Sequence, residues 1–167
     1  QTESMEERRQ ALRRAAGILE GEGDMDHAAD LMREAGDWQE FTRLVRENAE
    51  NLIAQGRRCL LEKWILAIPQ EMARWDPWIL LWTGMCRLHS SPLEAARRFD
   101  DAMEAFKAKD DSTGMLQAWS ACIRAIVLAQ EDFHPLDRLI DMFEELPLLG
   151  CNDSSNTATV DCMMFVA

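Results

Sequence analysis

Apolar residues recur along the chain as triads at i, i+4 and i+7: Ala28/Met32/Ala35, Leu61/Ile65/Ile68, Ala95/Phe99/Ala102 and Leu136/Ile140/Phe143. This spacing puts each triad on one face of an α-helix. Start and stop signals between the triads define the elements. A first helix is predicted over 4–20, stopped by Gly21-Glu22-Gly23. Asp24 or Asp26 then caps a helix through Ala35, which Gly36 ends in the left-handed position. Asp37, with Glu40 three residues on, reads as a capping box opening a helix to about Gln55, closed by Gly56. A helix over 57–68 is halted by Pro69, and a brief turn of helix covers 70–75. Asp76-Pro77 starts a helix to His89, and Ser91-Pro92-Leu93-Glu94 is the strongest start of all, opening a helix to Lys109. Ser112 is predicted to cap the next, to Gln130, and His134-Pro135 opens another that ends near Leu146-Pro147. Residues 148–158 carry turn chemistry, and 160–167 look like the opening of one more helix.

Successive triads begin 33, 34 and 41 residues apart, the period of paired-helix repeats such as the tetratricopeptide. Each such pair has an apolar face that only a stacked neighbour can cover. Over 92–109 the residues Ala95, Ala96, Phe99, Ala102, Met103 and Phe106 form one stripe, and Glu94, Arg97, Arg98, Asp101, Glu104 and Lys107 lie opposite. By contrast 78–82 and 123–129 are apolar nearly all round, as helices covered on more than one side are. The expected fold is all-α: a right-handed superhelical stack of antiparallel helix pairs, tetratricopeptide-like, over 1–147. Residues 148–167 would form a loop and the start of a truncated further repeat. The beginning at Gln1 and the unfinished apolar end suggest a piece of a longer protein.

Composition narrows the partners. Thirty acidic against 18 basic residues give a net charge of −12, a field that repels a phosphate backbone. Duplex DNA is therefore not an expected ligand of this stretch. Five scattered cysteines (59, 86, 122, 151 and 162) never form a C-x-x-C pair, which points to a reducing cytoplasm. Cys59, Cys86 and Cys122 sit among apolar neighbours and read as small hydrophobes. No apolar run is long enough to span a bilayer.

Little in the chain suggests chemistry. The histidines, at 27, 89 and 134, are far apart, and His134-x-x-Asp137 supplies at most two of the three or four ligands that a metal needs. No phosphate loop, dinucleotide fingerprint or recognisable nucleophile–histidine–acid spacing is present, so no catalytic residue, metal or cofactor is expected here. Arg8, Arg9, Arg13 and Arg14 read as a solvated helix face. Four of six tryptophans fall between positions 64 and 82; helix-junction packing is favoured over a platform for flat ligands, because Trp78, Leu81, Trp82, Met85 and Leu88 share one stripe. If the stack binds something on its inner layer, the contact candidates are Trp78, Met85, His89, Trp119 and Arg124, from the two most apolar helices.

Several motifs follow one another in a distinctive order: Ala28-x-x-Leu31-x-x-x-Ala35-Gly36-Asp37-Trp38; Glu47-Asn48-Ala49-Glu50-Asn51-Leu52-Ile53-Ala54-Gln55-Gly56; Leu61-x-x-Trp64-Ile65-x-x-Ile68-Pro69-x-Glu71; and Pro77-Trp78-Ile79-Leu80-Leu81-Trp82-x-Gly84. Over roughly 11–146 this resembles the helical region of large ATP-dependent LuxR-type transcription activators, the group that includes the maltose-regulon activator. The resemblance implies a cytoplasmic bacterial regulator in which this stretch is the non-catalytic sensor. It would lie between an ATP-binding switch domain and a helix-turn-helix DNA-binding domain, both outside it. Its partners would be a small-molecule effector or a regulatory protein, with self-association possible. ATP and DNA would be bound only by those other domains. The alternative is a stand-alone tetratricopeptide-like scaffold for protein–protein contacts.

Overall fold

A computed structural model describes residues 2–145, with side chains over 4–142. The segment read as a loop and truncated repeat, 148–167, lies outside the described residues. Every regular element within them is α-helix: α1 (Thr2–Gly21), α2 (Met25–Ala35), α3 (Trp38–Ala54), α4 (Arg58–Ala67), α5 (Gln70–Ala73), α6 (Pro77–Arg87), α7 (Pro92–Ala108), α8 (Ser112–Ala129) and α9 (His134–Glu145). The punctuation is local chemistry. Asp24, Asp37 and Asp76 accept from backbone N–H groups in the first turns of α2, α3 and α6, satisfying donors that have no intrahelical partner. Gly36 at φ 68° and Gly56 at φ 73° make the left-handed turns that follow α2 and α3. Ile68 turns extended before Pro69 and so ends α4.

Two expected caps differ. Ser91 occupies the N-cap position of α7 but its hydroxyl makes no capping hydrogen bond. The cap of α8 is Asp111, one residue before Ser112, and its carboxylate accepts from Gly114 N at 2.9 Å. A carboxylate is the stronger acceptor and also suits the positive end of the helix dipole.

The described residues form two compact units, divided between Ala73 and Arg74. In the first, α1 and α2 are antiparallel, since Arg8 near the start of α1 pairs with Glu34 near the end of α2 at 2.6 Å. Helices α1 and α3 run parallel, with Arg13 on Asp37 (2.7 Å) and Glu20 on Arg43 (2.9 Å). Arg8 and Arg13 thus tie helices together rather than merely lining a solvated face. The Glu20–Arg43 pair is bidentate (3.0 and 2.9 Å), and Glu20, with Glu40, holds the Arg43 guanidinium pKa above its ordinary value. These pairs orient helices; half-exposed pairs contribute only about 0–1 kcal/mol each. The stabilising mass is apolar: Ala28, Met32, Phe41, Leu44, Val45, Ala49, Leu61 and Trp64 are all buried.

In the second unit α6, α7 and α8 pack in antiparallel succession. Phe99 and Phe106 of α7, both fully buried, are the organising side chains. A Cβ on Gly84 of α6 would lie 2.5 Å from Phe99 Cε1, and one on Gly114 of α8 would meet the Phe106 ring closer still. The phenylalanines therefore occupy the space that a side chain would take on each flanking helix. Trp78 meets Phe106 edge to face, centroids 5.0 Å apart. The first three triads are buried as the periodicity predicts. The fourth is not: Ile140 is 56% exposed and Leu139 is fully buried in its place. Leu139 and the partly buried Leu136 and Met142 set the inner face of α9, a rotation away from the i, i+4 pattern. Phe143, the last of that triad, lies outside the described side chains. Cys59, read as a small hydrophobe, is exposed, whereas Cys86 and Cys122 are buried.

Gly84→Ala and Gly114→Ala should each destabilise the chain by about 1–3 kcal/mol through overpacking, outweighing a helix-propensity gain of up to ~1 kcal/mol. Gly17→Ala, with open space around its added Cβ, should show only the gain. Urea denaturation of the three variants distinguishes these signs. By the same assay Asp111→Ala should lose about 1 kcal/mol and Ser91→Ala less than about 0.5 kcal/mol.

Candidate functional site

The first unit contains a cleft of about 330 Å³, near the lower end of the usual range for ligand sites. Three short stretches build it. The turn between α1 and α2 supplies Gly23, Asp24, Met25 and Asp26; the second half of α3 supplies Asn48, Asn51, Leu52 and Gln55; Arg57 and Trp64 complete the lining. Residues 48, 51, 52 and 55 are spaced i, i+3, i+4 and i+7, so they share one helical stripe. That stripe is polar except for Leu52.

The charged groups in the lining are already engaged. Arg57 donates to Asp26 Oδ2 at 2.6 Å, and both side chains are 46% exposed, so this clasp is worth little and opens cheaply. Asp24 caps α2 and accepts from His27 Nδ1 at 2.8–2.9 Å. The hydrogen bonds from His27, side chain first and then backbone, hold the Asp24 carboxyl below its ordinary pKa. The carboxamides are less committed. Asn48 Nδ2 donates to Leu44 O at 2.9 Å, and its oxygen has no hydrogen bond among the described residues. Asn51 and Gln55 make no side-chain hydrogen bond among the described residues. The cleft therefore offers amide donors and acceptors beside a small apolar floor of Met25, Leu52 and the edge of the buried Trp64.

The contact candidates from the sequence lie elsewhere, in the second unit. Trp119 is buried and donates Nε1–H to Leu139 O at 2.8 Å, which makes it a core side chain joining α8 to α9. Trp78 is half-buried against Phe106. Arg124 Nη2 lies 3.8 Å from Met85 Sδ, bringing those two together, while His89 is exposed just beyond α6. Trp119 thus belongs to the core, with Trp78 and Met85 packed partly buried against it. Sequence reasoning passed over Asn48, Asn51 and Gln55. The signal that could have found them is their common helical stripe.

His134 lies 3.8 Å from Asp137 with both exposed, and no group of three or more His, Cys, Asp or Glu is placed to hold a metal ion among the described residues. Burial pushes the Cys122 thiol up to about 12, with the nearby Asp100 adding to it and Arg138 opposing. No described helix is long and apolar enough to cross a membrane. The described residues are thus all-helical, with a polar recess of about 330 Å³. No family model matches the sequence, no curated protein matches it, and no solved structure matches the fold.

Two outcomes check this description. Mapping by alkylation and mass spectrometry at pH 8 should modify Cys59 rapidly while Cys122 stays protected until unfolding. Because the folded Cys122 pKa is raised from 9.0, the unfolded chain releases that proton first, so stability should decline as pH rises from 9.0 towards about 12. Alkaline denaturation of Cys122→Ala should show a flatter profile over that window.

Proposed function

We propose that this chain is a non-catalytic binding module: the sensor region of an ATP-dependent LuxR-type transcription regulator, built as a right-handed, tetratricopeptide-like superhelical stack. Support comes from antiparallel helical neighbours, from apolar triads that begin 33, 34 and 41 residues apart, and from the cleft in the first unit. One observation carries the reading. The residues forming the polar stripe of that cleft, Asn48, Asn51, Leu52 and Gln55, lie within the 47–56 motif that bears the family resemblance.

An effector or regulatory protein that prefers one arrangement of the helices shifts the population of the whole regulator, and it does so only by its differential affinity for the two states. On this reading the protein works in the bacterial cytoplasm. ATP and DNA are bound by flanking domains, and the net charge of −12 keeps this stretch off nucleic acid. A stand-alone scaffold is the second reading, favoured by the same cleft if no such domains flank it.

The complete gene should encode a phosphate-binding loop before this stretch and a helix-turn-helix after it; a gene with neither moves the assignment to the scaffold. The purified chain should hydrolyse no ATP and be retained on no duplex DNA at physiological salt. Turnover, or sequence-specific retention, would reject the sensor assignment.

A further inference from the structure

We infer that the cleft between the α1–α2 turn and α3 holds two or three residues of an extended peptide through their main-chain amides, with a preference for a basic side chain. The inference rests on the binding-module reading above and adds the ligand class. It starts from the hydrogen-bonding capacity left in the lining. Arg57 is paired with Asp26 and Asp24 accepts from His27, so each charged group in the lining already has a partner. What remains is the oxygen of Asn48 and the whole carboxamides of Asn51 and Gln55.

A carboxamide and a peptide group are chemical counterparts. Each has one carbonyl acceptor and N–H donation in a plane, so a side-chain amide can accept from a main-chain N–H and donate to its C=O. The dimensions agree. Residues 48 to 55 span about 10 Å along α3 at ~1.5 Å per residue, the length of three residues of extended chain at ~3.3 Å each.

Charge and burial select among ligands that could use these groups. Asp24 and Asp26 against Arg57 leave the lining acidic, on a chain of net charge −12, so an anionic segment is repelled and a cationic one attracted. A sugar would need an open indole face for stacking, and Trp64 is only 4% exposed. The remaining apolar floor, Met25 and Leu52, accommodates the aliphatic stem of a lysine whose ammonium reaches Asp24 or Asp26 once the exposed clasp opens.

The test is titration of the isotope-labelled 167-residue chain, followed by NMR, with four probes. These are terminally blocked Ala-Lys-Ala, its analogue with an ester replacing the amide after lysine, blocked Ala-Glu-Ala, and cellotriose. The lysine peptide should shift the side-chain amide signals of Asn51 and Gln55, with a Kd of about 0.1–1 mM for a ligand of this size. The ester should bind about threefold to tenfold more weakly, the loss of one main-chain hydrogen bond. The glutamate peptide should be weaker by at least a similar factor. Asn51→Ala and Gln55→Ala, exposed positions whose side chains bond to nothing else, should keep the dispersed spectrum and lose the interaction. Equal binding of ester and amide, stronger shifts from cellotriose, or no shift at millimolar peptide would each overturn the inference. Peptide-induced shifts that map elsewhere and ignore Asn51→Ala overturn the cleft as the site but leave the binding-module reading standing. Failure of the flanking-domain prediction removes the regulator assignment without touching these shifts.

Discussion

The second unit depends on two phenylalanine rings that occupy space where neighbouring helices have no side chain. Phe99 sits where a Cβ on Gly84 would be, and Phe106 where one on Gly114 would be. An aromatic side chain fully withdrawn from water contributes several kcal/mol only if its surroundings close around it. Here closure comes from the bare backbone of α6 and α8 drawing up to α7. Glycine in a helix interior costs about 1 kcal/mol of propensity, and packing of the ring face offsets it. Ala95 and Ala102, both fully buried, keep the rest of that α7 face equally close to its neighbours.

The first unit solves the same problem differently. Its apolar stripe is made of smaller residues, Ala28, Ala29, Met32 and Ala35 on α2, and its helices carry an additional set of cross-helix ion pairs. Those pairs are too exposed to dominate stability, but they fix which side chains face each other. Where the turn before α2 meets the end of α3, polar side chains line a recess. Of its three carboxamides, Asn51 and Gln55 are exposed and Asn48 is half-buried, so they lie at the surface of the unit and outside its apolar core.

The proposed kinship with regulatory helical regions predicts which domains flank this stretch, and the cleft predicts which hydrogen bonds its surface can still make. They meet at residues 48–55, where the 47–56 motif supplies Asn48, Asn51 and Gln55 to the lining. At Asn48 the amide nitrogen bonds back to Leu44 O, which fixes the side chain and leaves the oxygen without a hydrogen bond among the described residues.

Helix identity and most boundaries were legible in the residues alone, because caps, prolines and glycines act within three or four positions of themselves. Asp24, Asp37 and Asp76 each bond a backbone N–H two or three residues away, and the first three triads needed only helical periodicity to be assigned inward. The structure decided what depends on separation. Whether Leu139 or Ile140 turns inward on α9 is set by α8, whose Trp119 bonds Leu139 O from twenty residues away. The cleft brings together residues 23–26 and 48–64, and in its lining Arg57 and Asp26, thirty-one residues apart, come within 2.6 Å. Local pattern cannot encode such meetings, since each is fixed by how two helix faces fit and not by the residues beside it in the chain.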